Sequence, residues 1–138
     1  NATIFAYGST GSGKTHTISG DGMNPGIIPR AVNRIFELAG DLAEREADGI
    51  VLVHMGYVEL YNNHFQDLLH FTGESASSST LNSTGSFTQS HLQQPKIELH
   101  TTKSGSVFLS GSPSLHTPVT SAKEALRLVG LGARNRAT

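Results

Sequence analysis

An α/β layer fold, with a central and mainly parallel sheet flanked by helices, is what this sequence predicts. Three observations lead there. A β-branched and aromatic run, ATIFAY (Ala2 to Tyr7), meets a glycine-rich octet, GSTGSGKT (Gly8 to Thr15), and KTHTIS behind it can begin a helix. An apolar helical stripe follows, and then a second β-rich run. Strand, loop and helix in that order form the unit from which parallel sheets are built. With 138 residues and 36% hydrophobic content, the chain is long enough for one ordinary domain and its core.

Along the chain, GDGMNPG (Gly20 to Gly26) is dense in turn formers and predicts an exposed loop. Pro29 suits the first turn of a helix. Val32, Ile35, Phe36 and Ala39 then recur at helical spacing, with the helix ending near Glu46. GIVLVHMGYVELY (Gly49 to Tyr61) predicts a long central strand, its stretch Val51 to Leu60 lying beside Ala2 to Tyr7. HFQDLL predicts a short helical turn after it. Thr72 to Gln94 is dominated by Ser, Thr and Gln, with only Leu81, Phe87 and Leu92 as anchors. So little apolar surface does not offset the entropy of ordering, which predicts a flexible insertion. A variable insertion suits that composition better than a phosphorylation target.

The second ordered block opens on alternation. Ile97 and Leu99, then Val107 and Leu109, flank the turn residues Lys103, Ser104 and Gly105, which predicts a β-hairpin projecting from one end of the fold. In TSAKEALRLVG, Ser121 and Glu124 have capping-box spacing. Ala122, Ala125, Leu126 and Val129 make one apolar face, which runs out between Gly130 and Arg134.

The octet carries the chemistry. Gly8, Gly13, Lys14 and Thr15 satisfy G-x-x-x-x-G-K-[ST], a phosphate-binding loop. Consecutive backbone N–H groups in a tight turn form a concave nest for anions, and Gly11 and Gly13 have no Cβ to obstruct it. Lys14 reaches the outer phosphates as a point charge, and Thr15 offers a hydroxyl to magnesium. A helix opening at Lys14 adds its free N–H groups. The fold class sharpens to a P-loop NTPase layer fold.

Other chemistries lack their residues. A formal charge of −1 gives no electrostatic case for nucleic acid or an anionic membrane. There is no cysteine, which favours an intracellular setting and leaves no disulfide frame. No apolar run approaches a membrane span, and no signal peptide opens the chain. The seven histidines have no H-x₃-H or H-E-x-x-H spacing, so no zinc site is expected. No Asp ends the Val51 to Leu60 strand to hold the magnesium water shell; Glu59 lies inside it, where packing is an equal explanation. The chain enters a strand directly after Asn1, with no initiator Met, and reads as part of something longer.

TIFAYGSTGSGKTHTI, GIIPRAVNRIF, YVELYNNHFQDLL and the closing GLGARNRAT together resemble the kinesin motor domain, in kinesin order. The resemblance covers residues 1–138, apart from the insertion at 72–94. It implies that Gly8, Ser9, Thr10, Gly11, Ser12, Gly13, Lys14 and Thr15 cradle ATP. Lys14 would sit on the β/γ oxygens and meet transition-state charge, and Thr15 would sit on Mg²⁺. His16 is similar in place to a residue that packs on adenine, although an ordinary helix-start residue is an equal reading. Kinesins usually have Gln where this chain has Ser9, which affects affinity more than loop geometry.

The hairpin matches the kinesin element that touches tubulin, with His100 and Lys103 on polar or basic positions of that contact; a solvated turn is the alternative. Two further positions, often basic in the family, are His64 and Gly105 here, which weakens attraction to acidic tubulin. The resemblance implies a cytoplasmic, cytoskeletal ATP hydrolase acting on microtubules. It also implies that switch I, switch II, the main microtubule helix and the neck linker lie beyond these residues. This piece alone should therefore neither hydrolyse ATP nor move. A kinesin-like scaffold that binds without cycling, or another P-loop NTPase, are the competing readings.

Overall fold

The structure is a computed structural model that describes residues 2–45, 49–70 and 95–136. Glu46 and the insertion at 72–94 lie outside the described residues. Two compact units emerge: Asn1–Val53 with Val119–Arg127, and His54–Pro118 with Leu128–Thr138.

In the first unit, α1 (Lys14–Ser19) starts directly after Gly13, and α2 (Ile27–Arg45) carries Pro29 in its first turn, as expected. The loop between them is exposed and closed by an Asx turn. Asp21 Oδ1 accepts the N–H groups of Met23 and Asn24 at 2.9 and 2.7 Å. The two helices pack on one another. The predicted stripe of α2 is only partly covered: Val32, Phe36 and Ala39 are half-buried, while Ile35 is exposed.

Ala2 to Tyr7 is a correction. The segment forms no strand; Ile4, Phe5 and Tyr7 are exposed. The Phe5 and Tyr7 rings lie 6.0 Å apart. A strand exists through its ladder, and among the described residues no strand pairs with this one.

The predicted strand Val51 to Leu60 is divided into β1 (Val53–Met55) and β2 (Val58–Tyr61). The break falls at Gly56, where a Cβ would lie 2.7 Å from the Leu115 carbonyl oxygen. HFQDLL is a second correction, because His64–Asp67 is strand β3, antiparallel to β2, with Leu60 opposite Phe65. Asn62 and Asn63 adopt φ of 48° and 63°, the left-handed pair that a two-residue hairpin turn demands. Two asparagines tolerate that conformation, so the chain reverses where helix was expected.

The later hairpin forms as predicted, from β4 (Glu98–Thr101) and β5 (Val107–Ser110), with Leu99 opposite Leu109. A 3₁₀ turn (Pro113–His116) leads to β6 (Thr117–Val119), which pairs with β1. The described strands thus form three two-stranded sheets, without the expected parallel layer. Leu68, Leu69, Ile97, Leu115 and Leu128 are the buried apolar side chains of the second unit among the described residues.

α3 (Ala122–Asn135) runs on through Gly130 to Arg134, the stretch over which it was expected to run out. Its cap forms as read: Ser121 Oγ accepts the Glu124 N–H at 3.2 Å. The reciprocal bond lands one residue earlier, on the Thr120 N–H, 2.8 Å from Glu124 Oε2. The buried face is Ala125, Leu128 and Gly132, rotated from the one predicted. Gly132 lies so close to Tyr57 that a Cβ would approach its Cε1 to 2.8 Å.

Candidate functional site

The octet Gly8 to Thr15 is an exposed turn that runs directly into α1. Gly11 and Gly13 take φ of 80° and 89°, a backbone that L side chains rarely adopt, and a Cβ at either would meet nothing. Their requirement is conformational. At Gly8 it is also steric, since a Cβ would lie 2.6 Å from Ser12 Oγ. One internal bond, from Ser12 N–H to the Ser9 carbonyl at 3.2 Å, tightens the turn, and Thr17 N–H donates to Gly13 O at 2.9 Å. The N–H groups of Gly11, Gly13, Lys14, Thr15 and His16 make no backbone bond among the described residues, as expected where a loop enters a helix.

Lys14 lies over this turn. Its ammonium donates to the carbonyl oxygens of Gly8 at 2.9 Å and Ser9 at 2.7 Å. The site therefore combines one cation, a set of unbonded amides and the Thr15 hydroxyl on neighbouring residues, the donor set that a polyphosphate and its magnesium need. Ser9 contributes its carbonyl oxygen, which accepts from Lys14 and from the Ser12 N–H, and Thr10 lies exposed in the turn.

His16 faces back toward the next loop, its Nε2 lying 3.2 Å from Asp21 Oδ2. Backbone N–H groups of Asn24 and Met23 hold the Asp21 carboxyl below its ordinary range, with His16 adding to the effect.

The second candidate region is the β4–β5 hairpin. His100 stacks on Phe108 with centroids 5.3 Å apart, and its Nε2 lies 2.8 Å from Ser110 Oγ. Lys96 is ion-paired with Glu98 at 2.7 Å, which raises the Lys96 pKa and lowers that of Glu98. Lys103 sits in the exposed turn and makes no ion pair among the described residues. Gly105 takes φ of 83°, which leaves a basic side chain strained at that position. His64 opens β3 and is exposed.

Two polar clusters escaped the sequence reading. Asp67 is buried, accepting Ser112 Oγ–H at 2.5 Å and Leu69 N–H at 2.9 Å. Glu59, open between packing and metal holding, accepts Arg136 Nε–H at 3.0 Å. Both join residues far apart in sequence, and no local pattern announces them.

A glycine turn with left-handed glycines, a lysine over it and a helix directly behind define a phosphate-binding-loop protein. The family model of the kinesin motor domain matches residues 1–138, and the chain belongs to that family. Kinesin-like protein KIN-7L of Oryza sativa subsp. japonica is 35% identical over 136 residues, 99% of this chain and 17% of that protein. Among solved structures, a KIF14 dimer in its two-heads-bound state, with AMP-PNP and a microtubule, superposes with a TM-score of 0.71. It is 27% identical over 97% of this chain and 31% of that one. KIF14 with ADP and a microtubule gives a TM-score of 0.65, at 27% identity over 97% of this chain and 32% of that one. The chain thus spans about a sixth of that relative and about a third of those motors.

Proposed function

We propose that this chain is the ATP-binding part of a microtubule motor, and that the intact motor hydrolyses ATP to move along microtubules. The observation that carries the proposal is the Lys14 ammonium lying over a left-handed glycine turn at the head of α1. Gly8 to Thr15 would cradle the phosphates, the Thr15 hydroxyl would hold Mg²⁺, and Lys14 would exchange its two carbonyl partners for the β- and γ-phosphates. Lys14 is also the catalytic group, stabilising charge in the transition state. His16 packs against adenine, which requires it to leave Asp21. The AMP-PNP and ADP in the KIF14 structures support nucleotide as the ligand.

The microtubule in both KIF14 structures supports tubulin as the partner and a cytoskeletal, cytoplasmic setting. Lys103 at the hairpin tip is the contact residue best placed for it, with His100 behind it supporting the turn through Phe108 and Ser110. On this reading the 138 residues alone neither hydrolyse ATP nor move, since the chain spans about a third of the solved motors it matches.

The test is microtubule-stimulated ATP turnover by the full-length motor. Lys14→Ala should abolish it, and Thr15→Ala should depress it most at low magnesium. Equal turnover in wild type and Lys14→Ala would overturn the reading.

A further inference from the structure

His16 follows directly on the lysine and threonine of the glycine loop, yet its ring is turned to the loop Gly20 to Gly26. Its Nε2 lies 3.2 Å from Asp21 Oδ2. The two oxygens of that carboxylate have different duties. Oδ1 accepts the N–H groups of Met23 and Asn24, which binds the carboxylate to its own turn. Oδ2 meets His16.

The turn has no room to follow a moving partner. Gly20 and Pro25 form an antiparallel bridge, and Asp21 N–H donates to Asn24 O at 3.0 Å. Arg30 Nε donates to Pro25 O at 2.9 Å, which ties the loop to α2. A Cβ at Gly20 or Gly26 would run into the backbone of Asn24 or Ile18. His16 is held far less. It belongs to a six-residue helix with no buried residue, and its side chain is 64% exposed. Asp21 is therefore the fixed partner, and His16 is the one free to change rotamer.

The contact depends on pH. Histidine changes charge near neutrality, while the N–H groups that hold the Asp21 carboxyl below its ordinary range keep it ionised there. The contact is thus a hydrogen bond with neutral His16 and an ion pair with protonated His16. Of the other charged groups on α1 and the first half of α2, Lys14 and Arg30 bond to carbonyl oxygens and Arg34 pairs with Glu37. None of them bonds to either partner among the described residues.

We propose that Asp21 is a positioning residue that sets nucleotide affinity, holding His16 away from the base of an incoming nucleotide and holding it harder as the pH falls. This rests on the proposed reading of the loop, in which His16 packs on adenine, and deepens it. Phosphates alone leave the pair intact, whereas the base has to break it. The pair is open to water, so its effect on affinity is modest, about two- to fivefold.

The experiment measures equilibrium binding of Mg·ATP and of magnesium tripolyphosphate, which has no base, to the full-length motor between about pH 6 and pH 8. Asp21→Ser keeps an acceptor for the turn but is too short for His16, and Asp21→Asn keeps the turn without the charge. Asp21→Ser should bind Mg·ATP about two to five times more tightly than the wild type, and tripolyphosphate within about twofold. In a His16→Ala background Asp21→Ser should change neither affinity. The ratio of wild-type to Asp21→Asn affinity for ATP should fall as the pH falls, and this ratio decides the matter if Asp21→Ser proves unstable. Unchanged ATP binding by Asp21→Ser, an equal gain for tripolyphosphate, a gain that persists without His16, or a ratio level with pH would each overturn the proposal. A wild type that binds neither ligand, or a Lys14→Ala variant that binds tripolyphosphate as tightly as the wild type, would sink the phosphate-loop reading, and the proposal with it.

Discussion

Two carboxyls in this chain, Asp21 and Glu124, are held below their ordinary range first of all by nearby backbone N–H groups. Glu124 is the clearest case. Its carboxyl accepts both the backbone N–H and the hydroxyl of Thr120, at 2.8 and 2.9 Å, and these bonds hold its pKa below the ordinary 4.5. A carboxyl that is more acidic folded than unfolded stabilises the fold above its unfolded pKa. That contribution disappears as the pH falls through the lowered folded value. Glu124→Gln should therefore flatten part of the acid limb, below about pH 4.5, in melts of the full-length motor as a function of pH. An acid limb identical to that of the wild type would contradict the role. Lys14 makes its contacts with two backbone carbonyls, those of Gly8 and Ser9.

Elements in this fold form strands where a described partner pairs with them: β2–β3 and β4–β5 find theirs next in the chain, while β1 finds β6 far along it. The β4–β5 hairpin, α2 and the capped start of α3 were legible because propensity, turn residues and periodicity agree within a dozen residues of each other. The glycine turn and the helix behind it were legible for the same reason, although Gly11 and Gly13 are required there for their positive φ, whereas the sequence had pointed to their missing Cβ. Ala2 to Tyr7 carries the propensity of a strand without a described partner, and propensity alone cannot build a ladder. HFQDLL was misread because two asparagines in left-handed conformation outweighed a weak helical signal. The Glu59–Arg136 and Asp67–Ser112 pairs were invisible, since each joins positions that only the folded chain brings together. Asp67 gives a sharp test. Ser112→Ala would leave a buried carboxylate oxygen without its hydroxyl donor, at a cost of about 1–3 kcal/mol. Denaturant unfolding of the full-length motor should show that loss, and an unchanged midpoint would show that the pair is dispensable.

For the whole molecule, what the 138 residues leave uncovered matters most. Ile4, Phe5 and Tyr7 are exposed, as are Ile50, Leu60 and Tyr61, so apolar surface that a layered sheet would bury faces water. The chain produced alone should therefore melt weakly or aggregate, and millimolar Mg·ATP should not raise its midpoint. A cooperative melt that shifts up by several degrees with Mg·ATP would contradict this.

The central claim, that the glycine loop holds the phosphates of ATP in the intact motor, is tested most directly by binding. A fluorescent ATP analogue would be titrated at equilibrium into the full-length motor in the presence of magnesium, beside Lys14→Ala. The wild type should saturate, and the variant should bind at least about a hundredfold more weakly, as expected when one partner of a charge-assisted contact is removed. Equal affinity in the two proteins would contradict the assignment of the loop.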